Sequence, residues 1–148
     1  MSYSYSFLDF NCALVGPGGM VNLGAGSAAD GEGITFSPTE EVNKMDIGAD
    51  GNGMHTLKAN KSGKITVRLL KNSPNNALLS AMYAFQTASS SAHGQNIISG
   101  AGLVSGDAVT CQQVAFRKAP DIIYATEGKP VEWEFDAITI DRSLGAGV

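Results

Sequence analysis

Alternating apolar and polar positions, separated by glycine-rich turns, run through most of the chain and predict short β-strands. The clearest alternation lies at residues 64–69. One side of this strand is apolar, with Ile65, Val67 and Leu69, and the other is polar, with Lys64, Thr66 and Arg68. Such a strand covers a core with one face and shows the other to water.

Further segments of the same kind predict strands at residues 7–15, 20–23, 34–37, 42–47, 55–57, 95–99, 108–117 and 131–142. Residues 16–19 form a turn, because a proline fixes one φ angle and the glycines accept positive ones. Residues 24–33 read as a glycine-rich loop. No helix joins consecutive strands, which excludes a parallel α/β sheet. We therefore predict a mainly-β fold, an antiparallel β-sandwich or barrel with one flanking helix at about residues 74–89, in a single domain covering 1–148.

The last strand changes its buried side halfway along. Its first half is apolar on one side, with Val131, Trp133 and Phe135, and acidic on the other, with Glu132, Glu134 and Asp136. From Ile138 onward, with Ile140, the apolar residues occupy the previously acidic side. The change predicts either a bulge or two different neighbours, with one half in the subunit's own core and the other against another subunit.

One helix is predicted after the 64–69 strand. Ser73 suits the N-cap and Pro74 the first helical position. Leu78, Met82 and Phe85 recur at helical spacing and predict the face that packs on the sheet. Residues 73–92 carry no charge, although a solvated helix face usually carries some. We expect this helix to lie between its own sheet and a neighbouring subunit.

Composition narrows the function classes. Charged residues make up 16% of the 148, below the usual share of about 25%, and the net charge is −4. An acidic net charge without a basic segment argues against nucleic-acid binding through a phosphate-neutralising surface. The chain has no apolar run long enough for a transmembrane helix and no signal-peptide pattern, so we expect it to start in a cytoplasm.

Two short motifs resemble ligand sites without completing them. Residues 24–29 match a dinucleotide fingerprint, but Asp30 to Gly33 break the helix that the fingerprint requires. Asp46, Asp50 and Asn52 resemble part of a calcium loop, yet the remaining ligand positions are not acidic. We interpret the first as a loop and the second as a glycine-rich hairpin tip.

The cysteines and histidines predict no cofactor. Cys12 and Cys111 each lie in an apolar strand and read as small buried residues. A disulfide would need neighbouring strands and an oxidising compartment. With His55 and His93 they share no metal-ligand spacing. The sequence also has no nucleophile motif, so we expect no metal, no cofactor and no enzyme activity.

The acidic row of Glu132, Glu134 and Asp136 leaves three interpretations open. It can be a solvated face paired across strands with Lys64 and Arg68, an electrostatic lining, or a catalytic pair. A catalytic pair is the weakest of these, because glycosidase carboxylates need a cleft and usually come from different strands.

Several segments, in order through nearly the whole chain, are similar to one family. They are Tyr5–Asp9, Gly16–Gly19, Gly48–Gly51 with Met54–Leu57, Lys61–Gly63 with Val67–Leu70, Ser73–Pro74 with Asn76, His93–Asn96, Ala115–Phe116 with Pro120–Asp121, and Glu132–Trp133 with Phe135. With these segments the chain resembles the tail tube proteins of contractile-tailed bacteriophages, in the Mu-like and KPP10-like group of virion structural proteins. None of the segments is a catalytic signature, so the resemblance carries over architecture.

The resemblance implies a two-sheet β-fold with one helix, shared with the Hcp tubes of type VI secretion. Six subunits would form a ring whose strands join an inner barrel, and rings would stack into a tube that DNA crosses during infection. The implied partners are copies of this chain, the tail sheath, the baseplate or tail initiator, and the tail terminator, without a membrane. The implied location is the virion, with the host cytoplasm before assembly.

Two hypotheses place residues in such a tube. Either the row Glu132, Glu134 and Asp136 or the polar row Lys64, Thr66 and Arg68 lines the lumen, and the sequence does not choose between them. A charge of −4 per subunit, or 6 × −4 = −24 per ring, is expected to repel DNA from the wall. The loop from Glu40 to Lys61 is expected to reach an adjacent subunit or ring. Its candidate contact residues are Glu40, Glu41, Lys44, Asp46, Asp50, Asn52, His55, Lys58 and Lys61.

Two other functions remain open at this point. A tube subunit of a phage-derived bacteriocin or secretion apparatus would have the same sequence features. A monomeric β-sandwich module for binding or capsid decoration would usually place aromatic residues on an exposed face. Here the single tryptophan, Trp133, alternates with acidic residues as a core residue does.

Overall fold

Nine strands and one helix make up the part of the chain that the structure describes. The computed structural model describes residues 10–23, 33–71, 74–102 and 106–145. The elements are β1 (Phe10–Gly16), β2 (Gly19–Asn22), β3 (Ile34–Pro38), β4 (Asn43–Ile47), β5 (Gly53–Leu57), β6 (Gly63–Leu69), α1 (Asn75–Thr87), β7 (Asn96–Gly102), β8 (Ala108–Lys118) and β9 (Val131–Ser143). The predicted mainly-β class with one helix is confirmed. Residues 7–9 of the first predicted strand, residues 24–32 of the predicted loop and the predicted N-cap Ser73 lie outside the described residues.

Seven of the strands form one antiparallel sheet in the order β2-β1-β7-β8-β9-β6-β3. Among the described strands, β4 and β5 pair only with each other, as an antiparallel hairpin. At the start of the sheet, β1 and β2 are joined by the predicted turn, where Gly18 and Gly19 have φ angles of +98° and +147°. Residues other than glycine rarely adopt these φ angles, so the turn requires glycine at both positions.

The core lies on one face of the seven-stranded sheet and takes residues from both of its ends. In β6 the predicted alternation is confirmed, since Ile65, Val67 and Leu69 are buried and the residues between them are half-buried. Leu14 of β1, at the other end of the sheet, belongs to the same core. One helix cannot cover seven strands, so the sheet must curl to bury both ends in one core.

Aromatic rings fill the centre of this core. The ring centroids of Phe116 and Phe135 are 4.8 Å apart, and those of Phe116 and Trp133 are 6.0 Å apart. Trp133 also donates a hydrogen bond from its ring nitrogen to Asn76 Oδ1, at 3.1 Å, which satisfies its only polar atom. Because Asn76 is on α1, this bond ties the start of the helix to β9.

The predicted change of buried side in β9 is confirmed, and the structure gives its cause. Ala137 is buried on the same side as Phe135, whereas Ile140, three residues later, is buried again. Pairing with β6 ends at Ala137, and beyond it the Ile140 amide donates to the Lys61 carbonyl at 2.9 Å. The buried side of β9 thus changes where its pairing with β6 ends, and contact of its second half with another subunit stays a prediction. Ile138, expected on the buried side, is exposed.

The neighbouring strand β8 has its irregularity at the same level. Its register with β7 shifts by one residue between the pairs Asn96–Val114 and Ile98–Cys111. Gln113 sits in this bulge with a φ angle of +52°, a left-handed conformation that few non-glycine residues adopt. A bulge bends the strand that carries it, so we expect β8 to bend at Gln113.

The predicted packing face of α1, with Leu78, Met82 and Phe85, is right for Met82 and wrong for the other two residues. Leu79, Met82 and Gln86 are buried, while Leu78 and Phe85 are 49% and 57% exposed. Both faces of α1 carry apolar residues, so helical spacing alone does not show which face packs on the sheet. Pro74 is the N-cap and not the first helical residue, and it makes no side-chain capping bond. No helix in the described part of the chain is long and apolar enough to span a membrane.

A buried pair of amides fixes the helix on the sheet. Gln86 and Asn96 are fully buried and exchange two hydrogen bonds, of 2.7 Å and 2.6 Å. Gln86 also donates to the carbonyl of Pro17 at 2.8 Å, and Asn96 to that of Val114 at 3.0 Å. The pair thus joins α1, the β1–β2 turn and the β8 bulge.

Candidate functional site

The two rows predicted as alternative lumen linings form one surface. Strands β6 and β9 pair directly, with Lys64 opposite Asp136, Thr66 opposite Glu134 and Arg68 opposite Glu132. Opposed residues in an antiparallel pair point to the same side of the sheet, away from the core here. We call these six residues, Lys64, Thr66, Arg68, Glu132, Glu134 and Asp136, the ion-paired stripe. Because the two rows share one surface, they are not alternatives: whichever way this surface faces, both rows face that way together.

Two salt bridges cross the stripe. Lys64 Nζ lies 2.6 Å from Glu134 Oε1, a charge-assisted hydrogen bond, and Arg68 Nε lies 3.4 Å from Glu132 Oε2. The second is a charge contact without hydrogen-bond geometry, since Arg68 Nε has no hydrogen-bond partner. The predicted cross-strand pairing of the acidic row with Lys64 and Arg68 is confirmed.

Glu134 is the most enclosed acid of the stripe. Its side chain is 14% exposed, against 44% for Glu132. The hydrogen bond from Lys64 holds the pKa of the Glu134 carboxyl below its ordinary value, and the charges of Lys64, Arg117 and Lys118 act in the same direction. Glu134 therefore stays charged at neutral pH.

Two cations on β8 approach the stripe from its other side, and the sequence analysis did not assign them. Lys118 pairs with Glu134 in the sheet register, and Arg117 lies in a second bulge, between Phe116 and Lys118. The acidic row of β9 is thus flanked by cations on both neighbouring strands. Only the pairing of β8 with β9 reveals this, and no local pattern around Arg117 could have predicted it.

The predicted contact loop, Glu40 to Lys61, is a hairpin made of β4 and β5 with its two connecting arms. Every residue from 42 to 57 is exposed. Of the nine predicted contact residues, all are exposed except the half-buried Lys58. At the base, Lys58 Nζ lies 3.7 Å from Glu40 Oε2, and Asn60 Nδ2 donates to Glu40 Oε1 at 3.2 Å. Lys61 lies 3.8 Å from Asp141 of β9.

The two faces of the hairpin differ in charge. One face carries Met45, Ile47 and Leu57 together with Asn43 and His55, whose side chains are 3.2 Å apart and hydrogen-bonded. The charged residues of the strands, Lys44 and Asp46, lie on the other face with Met54 and Thr56. Leu57 is 83% exposed. We call the first surface the apolar hairpin face. This face was not predicted from the sequence, although Met45 and Ile47 alternate as on a half-buried strand.

A local turn shapes the hairpin tip. Asp50 accepts hydrogen bonds from the backbone and side-chain nitrogens of Asn52, at 3.1 Å and 2.8 Å, which lower the pKa of its carboxyl. The interpretation as a glycine-rich tip is confirmed, since β4 ends at Ile47 and β5 begins at Gly53. Within the described ranges, no group of three or more metal-ligating side chains could hold an ion.

The two cysteines lie on β1 and β8, on either side of β7, so their strands are not neighbours. Both are buried free thiols. Burial and the nearby Cys111 raise the pKa of Cys12 to about 12, and burial raises that of Cys111 to about 11. These thiols are protonated and unreactive at neutral pH.

The chain with the ion-paired stripe and the apolar hairpin face is similar to a known protein family. The family model described as bacteriophage PhiTE tail tube protein matches residues 1–145. The chain belongs to this tail tube family. The predicted family resemblance is confirmed, and the role of a tail tube protein is structural.

Solved structures of similar fold agree with the tail tube assignment. One is in the sheath-tube complex of an extracellular contractile injection system, PVC, in its extended state. It has 12% identity and a TM-score of 0.59 over 96% of this chain and 93% of that chain. Another is the tube-terminating cap of the anti-feeding prophage, with 13% identity and a TM-score of 0.56 over 98% and 94% of the two chains. No curated protein matches this tail tube chain.

Proposed function

We propose that this chain is the subunit of a tail tube, in which copies form rings, six to a ring, and the rings stack into a conduit for DNA. The observation that carries the proposal is the hairpin, which exposes the apolar side chains of Met45, Ile47 and Leu57. An isolated two-stranded hairpin is marginal in water. Contact with a second copy of the chain would cover this face and stabilise it.

The ion-paired stripe is our candidate for the wall of the bore. Its six side chains include no apolar residue, and the polar Thr35 and Ser37 of β3 continue it. A wall of this kind is wettable and gives a passing helix no apolar surface to adhere to. The stripe carries two cations and three carboxylates, so it contributes +2 − 3 = −1 per subunit, less than the −4 of the whole chain.

The hairpin from Glu40 to Lys61 is our candidate contact between copies, within a ring or between rings. Deleting residues 48–53 removes the tip and Gly53, the first residue of β5, and removes no residue of the seven-stranded sheet, since among the described strands β4 and β5 pair only with each other. We expect the deletion to block tube growth while the chain stays folded. Normal tubes from the deletion variant would refute the assignment.

The exposed side of α1 supports a second contact. Leu78 and Phe85 are exposed on a helix without charges, and a neighbouring subunit would bury them. The remaining partners in our proposal are the tail sheath, the tail initiator or baseplate, and the tail terminator. The chain would be a non-enzymatic virion component with one tail-tube-like domain, made in the host cytoplasm.

Negative-stain electron microscopy of the purified chain at high concentration, with light scattering on the same sample, tests the proposal. We expect six-fold rings or hollow tubes. If the sample remains monomeric, the tail initiator is added to nucleate growth. A sample that stays monomeric and featureless with the initiator would contradict a tube function.

A further inference from the structure

We propose that the acidic row Glu132, Glu134 and Asp136 masks a cationic surface that would otherwise bind the phosphates of duplex DNA. The cations of this surface are Lys64, Arg68, Arg117 and Lys118. Local pairing, and not the net charge of the chain, would then keep DNA from adhering. The proposal rests on the proposed function for the presence of DNA beside this face.

The geometry places the acids between the cations. Strand β9 lies between β6 and β8, so its outward carboxylates have cations on both sides. Lys64 reaches Glu134 at 2.6 Å and Arg68 reaches Glu132 at 3.4 Å. On the opposite side Lys118 pairs in register with Glu134. Lys64 and Arg68 thus each contact a carboxylate, and Lys118 lies opposite one in the sheet register.

The charge count shows how much the acids matter. With the three carboxylates present, the group carries 4 − 3 = +1, and without them it carries +4. Without the three carboxylates, the four cations of β6 and β8 would flank an uncharged β9 and leave this surface positive, although the whole chain is acidic. Lysine and arginine bind DNA phosphates by displacing condensed counterions, an attraction that grows with each phosphate neutralised.

The carboxylates and the phosphates compete for the same donors. A carboxylate that already holds a lysine or arginine in a short charge-assisted bond leaves that cation less able to attract a phosphate. The Glu134 carboxyl stays ionised at neutral pH, so this pairing is present under ordinary conditions. The stripe thus presents DNA with occupied cations in place of free ones.

A charge-matched pair of variants tests the masking. The test variant carries Glu132→Gln, Glu134→Gln and Asp136→Asn, and the control carries Glu41→Gln, Asp46→Asn and Glu127→Gln at exposed positions outside the stripe. Each removes three carboxylates and changes the net charge of the chain from −4 to −1. The readout is fluorescence anisotropy of a labelled 30-base-pair duplex, about three helical turns long, titrated at several salt concentrations.

We expect the test variant to bind the duplex at least tenfold more tightly than the control, with an affinity that falls steeply as salt rises. Adding Lys64→Ala and Arg68→Ala to the test variant is expected to remove most of the gain. Equal binding by test and control variants would assign the effect to net charge and overturn the proposal. No gain in either variant would overturn it too.

A milder variant keeps the test valid if the triple variant does not fold. Glu132→Gln alone removes the half-exposed carboxylate that contacts Arg68. We expect about a threefold gain in duplex affinity over Glu41→Gln, and no gain would count against the masking. Circular dichroism and a thermal unfolding curve for each variant establish that the sheet is intact.

The outcome is separable from that of the tube proposal. Electron microscopy shows whether the protein assembles into tubes, and fluorescence anisotropy measures how tightly the same protein binds the duplex. If tubes form and the test variant gains no DNA affinity, masking is wrong and the tube function stands. If the variant gains affinity and no tubes form under any condition, masking stands and the tube function falls.

Discussion

The seven-stranded sheet and the hairpin from Glu40 to Lys61 use their apolar residues in opposite ways. In the sheet, strands such as β6 bury every second residue, and Ile65, Val67 and Leu69 are fully enclosed. In the hairpin, Met45, Ile47 and Leu57 alternate in the same manner but remain exposed. The same pattern thus builds a core in one region and an uncovered surface in the other.

The difference separates folding from assembly. Apolar area buried within the chain stabilises the folded subunit by roughly 25 cal/mol for each Å². Apolar area left exposed contributes nothing to that stability until another molecule covers it. Changes in the sheet should therefore move the unfolding transition, and changes in the hairpin should move assembly alone.

The largest effect on stability is expected at the centre of the core. Phe135 is fully buried against Phe116, and Phe135→Ala should lower the free energy of unfolding by about 3–5 kcal/mol, because it leaves a cavity. The control is Phe85→Ala, at a phenylalanine that is 57% exposed, with an expected loss below about 1 kcal/mol. Urea unfolding followed by fluorescence measures both, and equal losses would contradict the assigned core.

A smaller effect is expected at the buried amides. Asn96→Ala removes the partner of Gln86 and leaves a buried amide without its hydrogen bonds, at a cost of about 1–3 kcal/mol. The exposed neighbour Gln95, changed to Ala, should cost less than about 0.5 kcal/mol. A double-mutant cycle with Gln86→Leu and Asn96→Leu should show coupling between the two sites. Additive losses would mean that the pair does not act as a unit.

The stripe is expected to add little stability, with a defined pH dependence. The pKa of Glu134 is lowered in the folded state, so its contribution is present above the ordinary value of 4.5 and lost as pH falls through the folded value. Glu134→Gln should therefore cost less than about 1 kcal/mol at pH 7, and the difference from the unmodified chain should vanish in acid. Thermal unfolding between pH 7 and pH 3 measures it, with Glu41→Gln as the control. A difference that grows in acid would refute the pairing.

The smallest effect on stability is expected in the hairpin. Ile47→Ser with Leu57→Ser should change the free energy of unfolding by less than about 0.5 kcal/mol, because both side chains are exposed. The same change should prevent tube growth in electron micrographs. A matched pair on the other face, Lys44→Ser with Thr56→Ser, should reduce growth less than the apolar pair does, because it leaves the apolar hairpin face intact. Growth that survives the apolar pair, or a large loss of stability from it, would remove the contrast between the two regions.

Much of the sheet was predictable from sequence, because the order of apolar and polar residues in a strand follows which of its faces is buried. The alternation around Ile65, the turn glycines after β1 and the change of side before Ile140 are local patterns, and the structure confirms each of them. Strand boundaries also agree closely, as with residues 108–117 against the observed Ala108–Lys118.

The helix face was not predictable from spacing. Leu78, Leu79, Met82 and Phe85 place apolar residues on both sides of α1, and the sheet buries Leu79 rather than Leu78. The polar Gln86 is also in the core, since its partner Asn96 becomes adjacent only in the folded chain. Local patterns report polarity, and they do not report which distant partner satisfies a polar group.

The stripe shows the same limit for function. As lumen linings, the polar row with Lys64 and the acidic row with Glu134 were separate hypotheses, although pairing of the two rows across strands was one interpretation of the sequence. Arg117 and Lys118 were not predicted as part of this surface, because no local pattern shows that β8 pairs with β9. The composition of each row, and pairing between the two rows as one interpretation, could be predicted from the sequence, whereas the cations of β8 could not.

A cryo-electron microscopy map of tubes grown from the full chain, seeded by the tail initiator, tests the central claim most directly. Our account predicts six-fold rings in which Glu132, Glu134 and Asp136 face the bore and the apolar hairpin face is buried against another copy. A map with the stripe on the outer surface, or with Met45, Ile47 and Leu57 open to solvent, would contradict it.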